Sequence, residues 1–198
     1  MILAMKPSLL FGLLAFLFLS PVTAHAEGTK PVDRIALAQS IKGLIGQRDQ
    51  MRGITWYKHA TVPKYDNANR FYLYFGITDD QILTPLRLKI TYSSDSWLFV
   101  QSVWGKADGK KIDLPQVSET IMGWERDNSG GKIWEWSDAP VDTETEIAAV
   151  RQVSTSKETI VRFEGRQYYG DRTLTAAQLL ALRETISAYQ LVSAKPWQ

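Results

Sequence analysis

The sequence predicts an α+β, β-rich fold: an antiparallel β-sandwich-like domain of about eight strands with an N-terminal and a C-terminal helix. Three observations predict it. Segments through the middle of the chain alternate apolar and polar residues at period two. Turn signals separate them with almost no helical pattern between. Three-and-four spacing is confined mostly to the two ends.

In order, residues 32–51 place Ile35, Ala38, Ile41, Leu44 and Ile45 on one helical face. Gly43 and Gly46 each weaken that helix by about 1 kcal/mol relative to alanine. Residues 54–60 and 71–77 read as strands; the second sets Phe71, Leu73, Phe75 and Ile77 on one face and Tyr72 and Tyr74 on the other. Leu86 to Tyr92 alternates apolar and charged, and 93–96 is a turn. Residues 97–104 are apolar on both faces and read as a central strand. Asp108-Gly109 signals a hairpin returning through 111–114, because both residues tolerate positive φ.

A second hairpin joins 120–126 to 132–137 through the glycine-rich turn 127–131. Thr143 and Glu146 have capping-box spacing ahead of a short helix over 143–153. Residues 159–164 form one more strand, and Arg162 to Arg172 reads as that strand leaving the sheet. Thr175 and Gln178 repeat the capping-box spacing before a C-terminal helix carrying Leu179, Leu182, Ile186 and Tyr189.

Before this domain, Lys6 precedes an uncharged apolar run from Leu9 to Leu19. As a helix that run is about 16 Å long, too short for a hydrocarbon core of about 30 Å. Ser20 and Pro21 break it, and Ala24-His25-Ala26 supplies a small-residue cleavage site. Residues 1–26 therefore read as a cleavable secretory signal peptide and 27–198 as one globular β-rich domain. The expected location is periplasmic or secreted. The chain has no cysteine and no N-glycosylation sequon, which favours a bacterial over a eukaryotic exported protein. No later apolar run is long enough to cross a membrane as a helix after signal cleavage.

Without Lys6, Lys and Arg total 22 against 21 Asp and Glu. That balance excludes a strongly basic nucleic-acid binder, and no nucleic-acid partner is expected. The charge is uneven along the chain. Residues 108–150 carry four basic and ten acidic groups, while 27–60 carry six and three. Such asymmetry can steer a protein partner. Cofactor chemistry has little to work with. No cysteine exists, residues 27–198 contain a single histidine, His59, and no phosphate-binding glycine motif occurs. No cofactor and no metal are expected, and His59 reads as an edge histidine.

Seven tryptophans are the most distinctive feature. Trp56 and Trp97 read as core residues. Trp124, Trp134 and Trp136 cluster on the second hairpin and are the candidate ligand-binding residues, since flat aromatic faces stack on sugars and on partner side chains. Glu125 and Glu135 lie on the same hairpin. Paired carboxylates serve glycoside hydrolysis, so they are the candidate catalytic pair of an alternative reading as an envelope carbohydrate hydrolase. The hairpin register decides, and the turn permits Glu125 to face either Glu135 or Trp134. The leading expectation is an exported, non-catalytic binding or interaction protein of the bacterial cell envelope, whose partner is an envelope protein or a glycan.

Overall fold

The computed structural model describes residues 33–65, 68–116 and 123–193. They form two antiparallel sheets, of six and four strands, and three helices. A short helix α1 (Arg34–Ser40) leads into β1 (Leu44–Asp49), β2 (Ile54–His59), β3 (Arg70–Thr78) and β4 (Leu86–Ser94), which pair in sequence. The chain then leaves for the smaller sheet with β5 (Ser102–Ala107) and β6 (Lys110–Asp113). It returns with β7 (Glu125–Ser129) and β8 (Lys132–Val141), and β8 pairs with β4 to complete the larger sheet. Helix α2 (Glu144–Thr155), β9 (Thr159–Glu164), β10 (Tyr169–Thr173) and helix α3 (Ala176–Ser193) follow. The strand orders are β1-β2-β3-β4-β8-β7 and β10-β9-β5-β6.

The core follows the period-two pattern. Leu73, Phe75 and Ile77 of β3 and Leu86, Leu88 and Ile90 of β4 are at most 1 % exposed. Burying each such side chain contributes roughly 1.5–3 kcal/mol. Helix α3 packs on β2 and β3. It buries Leu179, Leu182 and Ile186, and the Tyr189 ring meets Phe75 edge-on at 5.5 Å. Both expected capping boxes form, at Thr143–Glu146 and Thr175–Gln178. The two sheets touch where Tyr92 of β4 meets Phe163 of β9, with ring centroids 5.2 Å apart.

Four expectations are corrected. The helix over 32–51 stops at Ser40. Gly43 adopts φ +92°, which a continuing helix cannot accommodate, and Leu44–Asp49 pairs with β2 instead. Residues 97–101 are not strand; the reason lies in a side chain described below. Tyr169–Thr173 doubles back on β9 as a further strand. There are ten strands rather than about eight among the described residues. Residues 120–122 of the expected hairpin lie outside the described residues.

Gly165 ends β9 against the backbone of the 98–100 segment. A Cβ added there would lie 2.1 Å from the Leu98 carbonyl oxygen. The obstructing atom is backbone, so relief needs a chain shift. Gly165→Ala is expected to lower stability by about 2–3 kcal/mol, at the upper end of overpacking costs. Gly105→Ala is the control, because its Cβ would meet only the Leu114 side chain, at 3.6 Å. Urea unfolding of the two variants checks the contrast.

Candidate functional site

The second hairpin turns on Gly130 and Gly131, both at positive φ (60° and 80°), the conformation of a tight two-residue hairpin turn. The resulting register is neither of the two expected. Glu125 lies opposite Trp136, Arg126 opposite Glu135, and Asp127 opposite Trp134. Directly opposed residues share a face. Glu125 is therefore exposed on the outer face of the six-stranded sheet, while Glu135 points inward and is 0 % exposed. The two carboxylates are on opposite faces, so the geometry that paired-carboxylate hydrolysis requires is not formed.

Glu135 is instead enclosed by donors. Its Oε1 accepts from the amides of Leu98 and Phe99, both at 2.9 Å. Its Oε2 accepts from the Val100 amide at 2.8 Å and from Arg126 Nε at 3.0 Å. The same guanidinium donates to the carbonyl oxygens of Val100 and Trp124, at 3.0 Å each. Phe99 takes φ +53°, a left-handed conformation that costs a non-glycine residue roughly 1–2 kcal/mol. That turn lets three successive amides converge on one carboxylate, in the manner of a backbone anion nest. These amides satisfy Glu135 rather than a neighbouring strand, which is why the apolar run 97–101 is not a strand.

Because Glu135 faces inward, Trp134, Trp136 and Asp138 face outward by alternation along β8. Trp124 does not join them. It is 5 % exposed, stands edge-on to Phe163 at 6.0 Å, and its indole N–H has no hydrogen-bond partner among the described residues. Of the three candidate tryptophans only Trp134 and Trp136 share an outer face; Trp124 is core, because it precedes the outward Glu125 by one residue. The reverse holds for Trp56. It is half-buried on the outer face, lying across Gly76, where a Cβ would meet its ring carbons at 2.9 Å. Trp97 packs against the edge of the core and stacks on Phe99 at 6.0 Å.

The outer face of the large sheet carries a groove of about 690 Å³. Trp56, Tyr72 and Tyr74 supply aromatic surface, and Lys58, Lys89 and Asp138 supply charge. Gln47 and Arg48 of the edge strand contribute to its lining. The Trp56 and Tyr74 rings are 5.5 Å apart, and Tyr72 and Tyr74 are 5.8 Å apart. The Lys89 ammonium lies 5.7 Å from the Trp136 ring centroid, which places Trp136 beside the groove. Tyr74 is fixed by two partners. Its hydroxyl donates to Asp138 Oδ2 at 2.6 Å and accepts from Arg87 Nε at 3.0 Å. Burial, then the adjacent Asp138 carboxylate, push the Tyr74 phenol well above its usual range, so it stays a neutral donor. The aromatic floor is thus held in place by an ion pair rather than left to rotate.

His59 is not an edge histidine in the expected sense. It is 6 % exposed; Nε2 contacts Glu184 Oε2 at 2.6 Å, and Nδ1 contacts the Thr61 hydroxyl at 2.8 Å. The Thr61 amide also donates to Nδ1, which puts the proton on Nε2 and directs it to Glu184. The pair tethers the end of β2 to α3. Among the described residues no three His, Cys, Asp or Glu side chains converge to hold a metal ion, and no helix is long and apolar enough to cross a membrane.

Sequence reasoning missed the groove because its residues come from five separate strands. Lys58, Tyr72, Tyr74 and Lys89 each occupy an ordinary alternating position of their own strand. Comparison of the chain with protein-family models, curated proteins and solved structures gave no match.

Removing one partner of a buried ion pair leaves the other uncompensated and costs about 3–5 kcal/mol. Glu135→Gln is expected to destabilise by that order, and Glu135→Gln/Arg126→Met by clearly less than the sum of the single losses, because both remove one network. A double-mutant cycle measured by chemical denaturation checks this.

Proposed function

We propose that this is an exported binding protein of the bacterial cell envelope and that the outer face of its six-stranded sheet binds a glycan. The observation that carries this reading is the groove of about 690 Å³ lined by the half-buried Trp56 and Tyr74 and the buried Tyr72 between charged and amide side chains. Sugar rings present a C–H face that packs on aromatic rings and a rim of hydroxyls that needs polar partners. A pocket offering a few polar groups beside apolar walls suits such a ligand. Its volume falls within the range of ligand sites, about 300–1,000 Å³. Trp136 and Trp134 extend the same face beyond Lys89. Export rests on the leader residues 1–26. Reading the two sheets as a β-sandwich-like pair rests on the contact of Tyr92 with Phe163 and on Trp124 packed edge-on against the same ring.

Fixed aromatics favour binding by leaving less freedom to lose. At the groove the Tyr74 hydroxyl stays protonated and donates to Asp138, which supports a reading of binding without turnover.

Purified residues 27–198 should co-sediment with isolated cell-wall sacculi. Trp56→Ala/Lys89→Ala should weaken retention roughly tenfold, or about 1.4 kcal/mol. Trp136→Ala should weaken it less, through loss of the contact that places Lys89. Absence of co-sedimentation, or retention unchanged in Trp56→Ala/Lys89→Ala, contradicts the reading.

A further inference from the structure

The groove on the outer face of the six-stranded sheet has two carboxylates in its lining, Asp49 and Asp138, and both are engaged within the protein. Asp138 accepts from the Tyr74 hydroxyl through Oδ2 at 2.6 Å and from Arg87 Nε through Oδ1 at 2.8 Å, and Arg87 balances its charge. Asp49 Oδ1 accepts the amides of Met51 and Arg52, both at 3.1 Å, in the turn that follows β1. Arg48 is held in the same way, with both terminal nitrogens donating to Asp79. Lys89 differs. In register it stands directly between Tyr72 of β3 and Asp138 of β8. Its ammonium lies 5.7 Å from the Trp136 ring centroid, and among the described residues it forms no ion pair. A ligand in the groove thus meets carboxylates that already have donors, and an ammonium whose contact is the face of a ring.

Resting on the glycan reading above, we propose that the groove selects an acidic glycan, one whose sugar rings carry carboxylates, and that Lys89 determines this specificity. The carboxylate of a uronic acid is attached directly to its ring. With that ring packed on Trp56 and Tyr74, the charge stays close to the aromatic wall. Lys89, directly opposite Tyr72, rises from the same wall. Its ammonium carries three donors and no acceptor, so it matches a carboxylate and repels an amino sugar. A neutral sugar gains the ring contacts and an ordinary hydrogen bond, whereas a hydrogen bond between two charged groups is roughly twice as strong.

The test uses residues 27–198 and isothermal titration with three hexasaccharides: hexagalacturonate, its methyl ester and the neutral chitohexaose. Hexagalacturonate should bind roughly tenfold more tightly than its methyl ester, the scale of a hydrogen bond to a charged group. High salt should narrow that gap, because the groove is open to solvent. Lys89→Gln should remove the gap while leaving the affinity for the ester unchanged, and Lys89→Arg should keep it. Binding of the ester as tight as that of the acid overturns this inference and leaves the glycan reading standing. So does binding of chitohexaose alone. A gap that survives in Lys89→Gln overturns the assignment to Lys89. No binding of any of the three at millimolar concentration overturns both this inference and the glycan reading.

Discussion

One fully buried carboxylate organises the centre of the molecule. Glu135 has no exposed surface, yet it is hydrogen-bonded by three consecutive amides and one guanidinium. An ion taken out of water costs several kcal/mol unless its acceptors are filled. Here both oxygens are filled, and one of the donors is itself a cation. The consequence for the chain path is direct. Segment 98–100 gives its amides to Glu135, bends through the left-handed Phe99, and carries the chain from the last residue of the large sheet's β4 to the first of the small sheet's β5. The apolar residues on either side, Leu98 and Val100, remain buried while Phe99 turns outward. The Glu135–Arg126 contact also fixes the hairpin register, since the two stand directly opposite each other.

The same constraint determines the outer face. A one-residue slip of β8 would exchange every inward and outward side chain. With Glu135 held inside, Trp134, Trp136 and Asp138 must lie outside, and Asp138 then meets Arg87 and Tyr74. That ion pair sets the Tyr74 ring beside Trp56 and Tyr72. A buried structural charge on one face of the sheet is thereby coupled to the arrangement of the aromatic groove on the other.

Much of this architecture was legible from residue spacing. The strands β2, β3, β4 and β9, the Asp108-Gly109 turn and the two capped helices follow local rules, because each is decided by neighbours within a few residues. What was not legible depends on distant partners. Residues 97–104 have the composition of a central strand, but a carboxylate thirty-five and more positions away claims the amides of 98–100. Residues 32–51 have helical spacing, but the left-handed Gly43 and pairing with β2 turn the second half into an edge strand. In the hairpin, glutamates that looked like a functional pair differ in fate because one is opposite an arginine and the other opposite a tryptophan. Of the tryptophans, Trp134 and Trp136 were recognisable as sharing one strand face, but not as the outward one, because the buried position of Glu135 between them depends on distant amides. Trp124 and Trp56 exchanged their expected places because strand phase at those positions is set by the hairpin register and by the open space over Gly76.

The central claim is that Glu135 binds the backbone of residues 98–100, and native-state hydrogen exchange of those amides tests it most directly. Amides held in the core exchange only through large-scale opening, whereas amides of an ordinary connecting segment exchange through local fluctuation. The structure predicts that Leu98, Phe99 and Val100 exchange as slowly as Leu88 at the centre of the large sheet, despite lying outside any strand. Exchange of these three amides at the rate of the exposed Asp95–Ser96 turn would contradict it.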